Sequence, residues 1–167
     1  MELWDAYDRD GNRLGRDLTR GEPVPDGQYH MVCTVIVRHT DGDYLLMKRH
    51  PNKPSYPNVY EPGAGGAAQK GEDAFRCIRR ELQEETGITC DRFTLMGRTV
   101  SDSAHCLLYS FCCTTDCAKD RILLQEGETS GYRWVSEDVL HSMIASGEIV
   151  PLMQRRLNRY FTYRRAQ

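Results

Sequence analysis

Gly63-Ala64-Gly65-Gly66-Ala67-Ala68-Gln69-Lys70-Gly71-Glu72-Asp73-Ala74-Phe75-Arg76-Cys77-Ile78-Arg79-Arg80-Glu81-Leu82-Gln83-Glu84-Glu85-Thr86-Gly87-Ile88 is the most informative stretch of this chain. Glycines ahead of a helix let the backbone approach a ligand closely and leave N–H groups free for phosphate oxygens. Residues from about Glu72 to Thr86 read as that helix, and Gly87 ends it. At about 100° per residue, Phe75, Ile78 and Leu82 fall within about 60° of one another and form the expected buried stripe. Glu81 and Glu85 lie one turn apart on one flank. Arg80 and Glu84 lie one turn apart on another flank and can pair. Two carboxylates about 5–6 Å apart repel by about 3 kcal/mol at an effective dielectric near 20. No basic residue on that flank neutralises both. The pattern therefore predicts a hard, oxygen-loving dication, Mg²⁺ or Mn²⁺, beside a glycine loop for phosphate. Taken alone, Glu-x-x-Glu-Glu fits a solvated acidic helix face better, and only the full spacing around it reverses that reading.

Outward from this stretch, residues 50–71 carry Pro51, Pro54, Pro57, Pro62, Gly63, Gly65, Gly66 and Gly71 and read as one long loop. Before it, the β-branched run Tyr29–Val37 and the run Tyr44–Arg49 read as strands joined by a turn at Asp41-Gly42. Residues 1–20 read as a hairpin about Asp10-Gly11-Asn12. Beyond the helix, Arg92–Val100, His105–Thr115 and Tyr132–Val135 read as strands. Ser136 is a good N-cap for an amphipathic helix, and Pro151 opens a last, arginine-rich one. Strands dominate the first 135 residues and helices the remainder. That order predicts an α/β fold with a mixed sheet carrying packed helices, not a regular βαβ series. No linker divides the chain, so residues 1–167 read as one domain with a hairpin extension over 1–20 and a C-terminal helix over 151–167.

The 167 residues include 22 Lys+Arg and 24 Asp+Glu, a formal charge of −2. That balance argues against a general binder of nucleic-acid polymers or of anionic membranes. No apolar run approaches a membrane span, and the N-terminus shows no signal peptide, which predicts a cytoplasmic protein. The seven cysteines are an odd number and read as free thiols.

From Gly66, five residues lead to Glu72, and seven more lead to Arg80-Glu81-Leu82-Gln83-Glu84-Glu85-Thr86-Gly87-Ile88. This resembles the Nudix box, G-x5-E-x7-R-E-U-x-E-E-x-G-U with U a bulky aliphatic residue. All nine specified positions over 23 residues match. Tyr60–Gly66 resembles the family's approach to the box, and Tyr132–Ser136 its last strand, so the resemblance covers about residues 28–150. It implies an α/β/α sandwich with a loop-helix-loop metal site. It also implies Mg²⁺-dependent hydrolysis of a nucleoside diphosphate linked to another moiety. Metal binding is implied for Glu81 and Glu85, with Glu84 contributing, and for Gly66 through its carbonyl. Arg80 and Glu72 match positions that orient those carboxylates. The base that takes a proton from water lies in the box, where Glu84 is the candidate, or in a later loop, where Glu128 is the candidate and Glu126 its rival.

Gly65, Arg49, Tyr60 and His30 are the remaining substrate-binding candidates. Each has a plainer reading as loop, surface, packing or core residue. The N-terminal region through His30 is similar to Nudix proteins related to isopentenyl diphosphate isomerase. The catalytic cysteine expected in that subgroup is replaced by Gly63-Ala64-Gly65-Gly66, and the box here is complete. Both departures favour a hydrolase over an isomerase. A silent nucleotide-sensing domain is the other alternative, and no box carboxylate is missing. A small-molecule diphosphate is the expected partner, and the hairpin could pair across a homodimer.

Overall fold

The computed structural model describes residues 1–166; residue 167, the last of the helix expected over 151–167, lies outside the described residues. The centre of the molecule is β3 (His30–His39), whose β-branched run pairs in parallel with β8 (Cys106–Thr115) from His30↔Cys106 to His39↔Thr115. β7 (Thr94–Ser101) adds antiparallel to the outer edge of β8. The other edge of β3 is shared. Its Arg38 pairs with Tyr44 of β4 (Tyr44–Arg49), and its Val32–Val35 segment pairs with β6 (Ala64–Ala67). β4 in turn carries β5 (Tyr60–Pro62) and β9 (Thr129–Val135), both antiparallel. The result is a mixed seven-stranded sheet.

Strand residues of opposite parity face opposite layers. Cys33, Val35, Val37, Leu45 and Met47 pack with Ile78 and Leu82 of α1 (Ala74–Thr86). Ile36, Tyr44 and Leu46 pack on the other face with Leu140 and Met143 of α2 (Glu137–Ala145) and Leu157, Tyr160 and Phe161 of α3 (Pro151–Arg165). The architecture is thus the expected α/β/α sandwich. Ser136 caps α2 as anticipated. No helix among the described residues is long and apolar enough to cross a membrane.

The N-terminal hairpin forms its own two-stranded sheet, β1 (Leu3–Tyr7) with β2 (Arg13–Thr19). Trp4, Ala6 and Leu18 bury one of its faces, with Ala67 of β6 packed against them. A bridge between Tyr7 and Tyr29 ties the hairpin to the approach to β3.

Two expectations are corrected. The stretch 50–71 is not one loop, because β5 and β6 form within it. Glycine-rich sequence has little strand preference of its own; β6 forms because β3 offers a free edge to it. Gly63 makes the step from the β4 edge to the β3 edge. It adopts φ +65°, and a Cβ there would lie 1.9 Å from the Val35 carbonyl oxygen. Second, Phe75 does not belong to the buried stripe, being 52% exposed, with its ring 5.2 Å from that of Phe111 in a T-shaped pair. The buried residues of α1 are Cys77, Ile78, Glu81, Leu82 and Thr86. Phe75 shares the azimuth of Leu82 and Thr86 but stands in the first turn, whereas Glu81, and one turn later Glu85, face β6. The helix starts at Ala74, with Asp73 accepting from the Arg76 N–H at 2.8 Å, and ends on Gly87 in the left-handed conformation.

Candidate active site

A cavity of about 210 Å³ opens where the Gly65–Ala67 part of β6, one flank of α1, the residue after β2 and the loop before β9 converge. Its floor is Gly65 and Gly66, and its wall is Arg80, Glu81, Glu84 and Glu85. The close approach of β6 to α1 explains the glycine at 66. A Cβ there would stand 2.4 Å from a Glu81 carboxylate oxygen.

Arg80 organises the wall. It donates bidentately to Glu72, from Nε at 2.8 Å and Nη2 at 2.9 Å. Nη1 donates to Glu81 at 2.8 Å and to Glu84 at 3.1 Å, and Nη2 also reaches the Ala67 carbonyl at 3.1 Å. Hydrogen bonding to Glu72 leads in pushing the Arg80 pKa well above its ordinary value, against the opposing effect of burial. Both pairings anticipated for Arg80, with Glu72 and with Glu84, occur. As expected, no basic residue among the described ones serves both carboxylates of that flank: Arg80 neutralises Glu81 in part. It does not bond Glu85.

Glu85 is half-buried as a residue, but its carboxyl end is the enclosed part, accepting from the Gly65 N–H at 3.1 Å. Burial first, and then the charge of Glu81, raise its pKa to about 8, while the Gly65 bond opposes the rise. Burial likewise raises Glu81, with Arg80 opposing. These are carboxylates whose charge the protein leaves under-compensated.

The donors suit a hard dication, being carboxylate oxygens in a polar cavity. Among the described residues, though, no three Asp, Glu, His or Cys side chains converge into a finished cation cage. Glu81 and Glu84 turn to Arg80, and Glu85 to Gly65. The under-compensated charge of Glu81 and Glu85 is what a cation would supply, so the residues fit the ion. The Gly66 carbonyl accepts a long hydrogen bond from Cys77 Sγ at 3.7 Å.

Glu128 stands across the cavity and pairs with Lys53. The loop backbone is pinned by His50 N–H donating to the Glu128 carbonyl at 2.9 Å. β9 begins at Thr129, earlier than the expected Tyr132, and its register with β4 slips between Lys48 and Arg49. Glu128 is therefore the last loop residue before a strand irregularity. Its rival Glu126 does not line the cavity.

The other three candidates stand outside the lining. Arg49 donates to both Glu61 oxygens at 3.0 and 3.1 Å and to the Ser55 carbonyl at 3.1 Å. Tyr60 is a β5 residue packed against the cluster beneath α2 and α3, with Arg133 over its ring at 5.8 Å. His30 opens β3, and its ring stacks on Trp4 at 4.3 Å, which covers it. Burial lowers its pKa. Sequence reasoning missed Glu2, Arg20, Gln69 and Gln125 on the lining, and Lys53 behind Glu128. None of them carries a local pattern. Arg20 and Lys53 reach the site only because distant segments fold onto it.

A family model described as "NUDIX domain" matches residues 28–155. An uncharacterized Nudix hydrolase of Listeria monocytogenes is 32% identical, with 99% of this chain and 97% of that protein covered. A Nudix hydrolase of Deinococcus radiodurans is 26% identical over 78% of this chain and 77% of its own length. A crystal structure from Deinococcus radiodurans superposes with a TM-score of 0.69 at 22% identity, covering 87% of this chain and 90% of the other.

Proposed function

The chain belongs to the Nudix family, hydrolases of pyrophosphate bonds, and from that premise we propose that it cleaves small nucleoside diphosphate derivatives with the help of Mg²⁺. The observation that carries the reading is the pair Glu81 and Glu85, enclosed one turn apart against Gly65 and Gly66 with no cation bonded to Glu85. Glu81 and Glu85 would hold the metal, with Glu84 at the cavity rim as a third donor and Gly66 offering its carbonyl. A bound dication supplies charge screening of the diphosphate and a water of lowered pKa. The protein does the rest. Arg80, locked by Glu72, orients Glu81 and Glu84. The backbone at Gly65 and Gly66 leaves room for phosphoryl oxygens to approach.

Glu128 is the general base, taking the proton of the attacking water at its carboxylate, and Lys53 orients that carboxylate. Glu84 is the alternative base within the box. A cavity of about 210 Å³ is smaller than the ~300–1,000 Å³ of ordinary ligand pockets and suits the diphosphate with its ion. The groups attached to the diphosphate then lie outside it. No lining residue is a cysteine, which weighs against the isomerase reading. The acidic cavity and the formal charge of −2 favour a small diphosphate over a nucleic-acid polymer. A screen of diphosphate compounds with Mg²⁺, followed by product analysis, tests the proposal. Release of phosphate or a nucleoside monophosphate that disappears in Glu85→Gln supports it. No turnover of any such compound by the wild type would refute it.

A further inference from the structure

Two cationic side chains line the cavity among the described residues, in opposite circumstances. Arg80 is saturated by three carboxylates and a carbonyl. Arg20, just past the end of β2, donates only through Nη1, to Glu2 at 2.9 Å, and its side chain stays 62% exposed. Its remaining donors are available at the mouth of an otherwise acidic site. Arg20 lies outside the segment matched by the family model, on the N-terminal hairpin.

The hairpin holds Arg20 in place. The Arg20 N–H donates to the Glu2 carbonyl at 3.0 Å, and the second Glu2 carboxylate oxygen accepts from Trp4 Nε1 at 2.8 Å. Trp4 in turn stacks on His30 at the start of the central strand. The guanidinium is therefore tied through short contacts to the sheet that carries the metal site. Its bond with Glu2, and then the nearby charges of Glu128 and Glu81, raise its pKa against burial.

We propose that Arg20 binds substrate, taking the non-bridging oxygens of the phosphoryl group farther from Glu81 and Glu85. This rests on the hydrolase reading above. A guanidinium offers two parallel N–H groups matched to phosphoryl oxygens. The Glu2–Arg20 pair is a placeholder that an incoming phosphoryl group displaces, since an exposed ion pair contributes little. Arg20 thus provides an anion contact at the end of the site that the box does not serve.

The test is calorimetric binding of inorganic pyrophosphate to the full chain, with Ca²⁺ replacing Mg²⁺ to slow turnover. Arg20→Ala weakens pyrophosphate at least tenfold, Arg20→Lys recovers part of the loss, and metal binding without pyrophosphate is unchanged. Glu2→Gln binds pyrophosphate as tightly as wild type or more so, because its amide oxygen still accepts from Trp4 while its negative charge is gone. Inorganic phosphate, held at the metal end, shows no dependence on Arg20. Equal pyrophosphate affinity in wild type and Arg20→Ala overturns the inference and leaves the hydrolase reading standing. Parallel weakening in Arg20→Ala and Glu2→Gln also overturns it, assigning Arg20 to hairpin anchoring. A wild type that binds no pyrophosphate removes both the inference and the reading beneath it.

Discussion

The Glu85 carboxylate accepts a hydrogen bond from the Gly65 N–H at 3.1 Å, joining the end of α1 to a strand 20 residues earlier. This one contact closes the wall of the cavity onto its floor. It also makes Glu85 the acid with the least help, since a single neutral N–H faces a carboxylate that Arg80 does not bond. Glu85→Gln keeps an oxygen acceptor for Gly65 and removes the charge. We expect kcat to fall about a hundredfold in Glu85→Gln and in Glu81→Gln, with thermal melting retained. Steady-state kinetics and circular dichroism check both halves, and full activity in both variants would exclude the metal role.

The pH dependence of stability follows from the same carboxylate. Its folded pKa is raised from 4.5 to about 8, so the folded state favours the protonated form. This contribution is fully present below pH 4.5 and is lost as pH rises through about 8. Metal-free protein should therefore lose stability across that window. Urea melts in a chelator at pH 5, 7 and 9 measure it. The slope should shrink in Glu85→Gln and on adding Mg²⁺, and an identical slope in Glu85→Gln would contradict the assignment.

Gly66→Ala tests the spacing between β6 and α1. The new Cβ would stand 2.4 Å from a Glu81 oxygen, so the carboxylate must move. We expect activity to drop at least tenfold with a modest loss of stability, about 1–2 kcal/mol. Gly131→Ala is the comparison. Its Cβ meets only Lys48 Cβ, at 3.9 Å, and should change melting little.

Lys53→Ala removes the partner of Glu128 without touching the box. Kinetics should show kcat reduced about tenfold with KM nearly unchanged, because a base that is mispositioned affects only the transition state. Glu128→Gln should cost more than Lys53→Ala. Unchanged kcat in both would shift the base to Glu84.

The sequence by itself determined the helix with its Gly87 cap, the strand–helix order behind the sandwich, and the grouping of Arg80, Glu81, Glu84 and Glu85. The cap and the grouping follow from spacings within a few turns of one helix, where geometry is set by the backbone repeat, and the element order follows from where β-branched runs, caps and turns fall along the chain. Tertiary structure decided the rest. The glycine-rich segment became β6 because β3 presents an edge to it. Phe75 shares the azimuth of the buried Leu82 and Thr86 but is left exposed in the first turn of α1. Arg49, Tyr60 and His30 were drawn to Glu61, to the opposite core and to Trp4, whereas Arg20 and Lys53 were brought to the cavity. These placements depend on contacts between segments tens of residues apart. No local spacing encodes such contacts, because they arise only when the packed layers fix which edges and faces are left to meet.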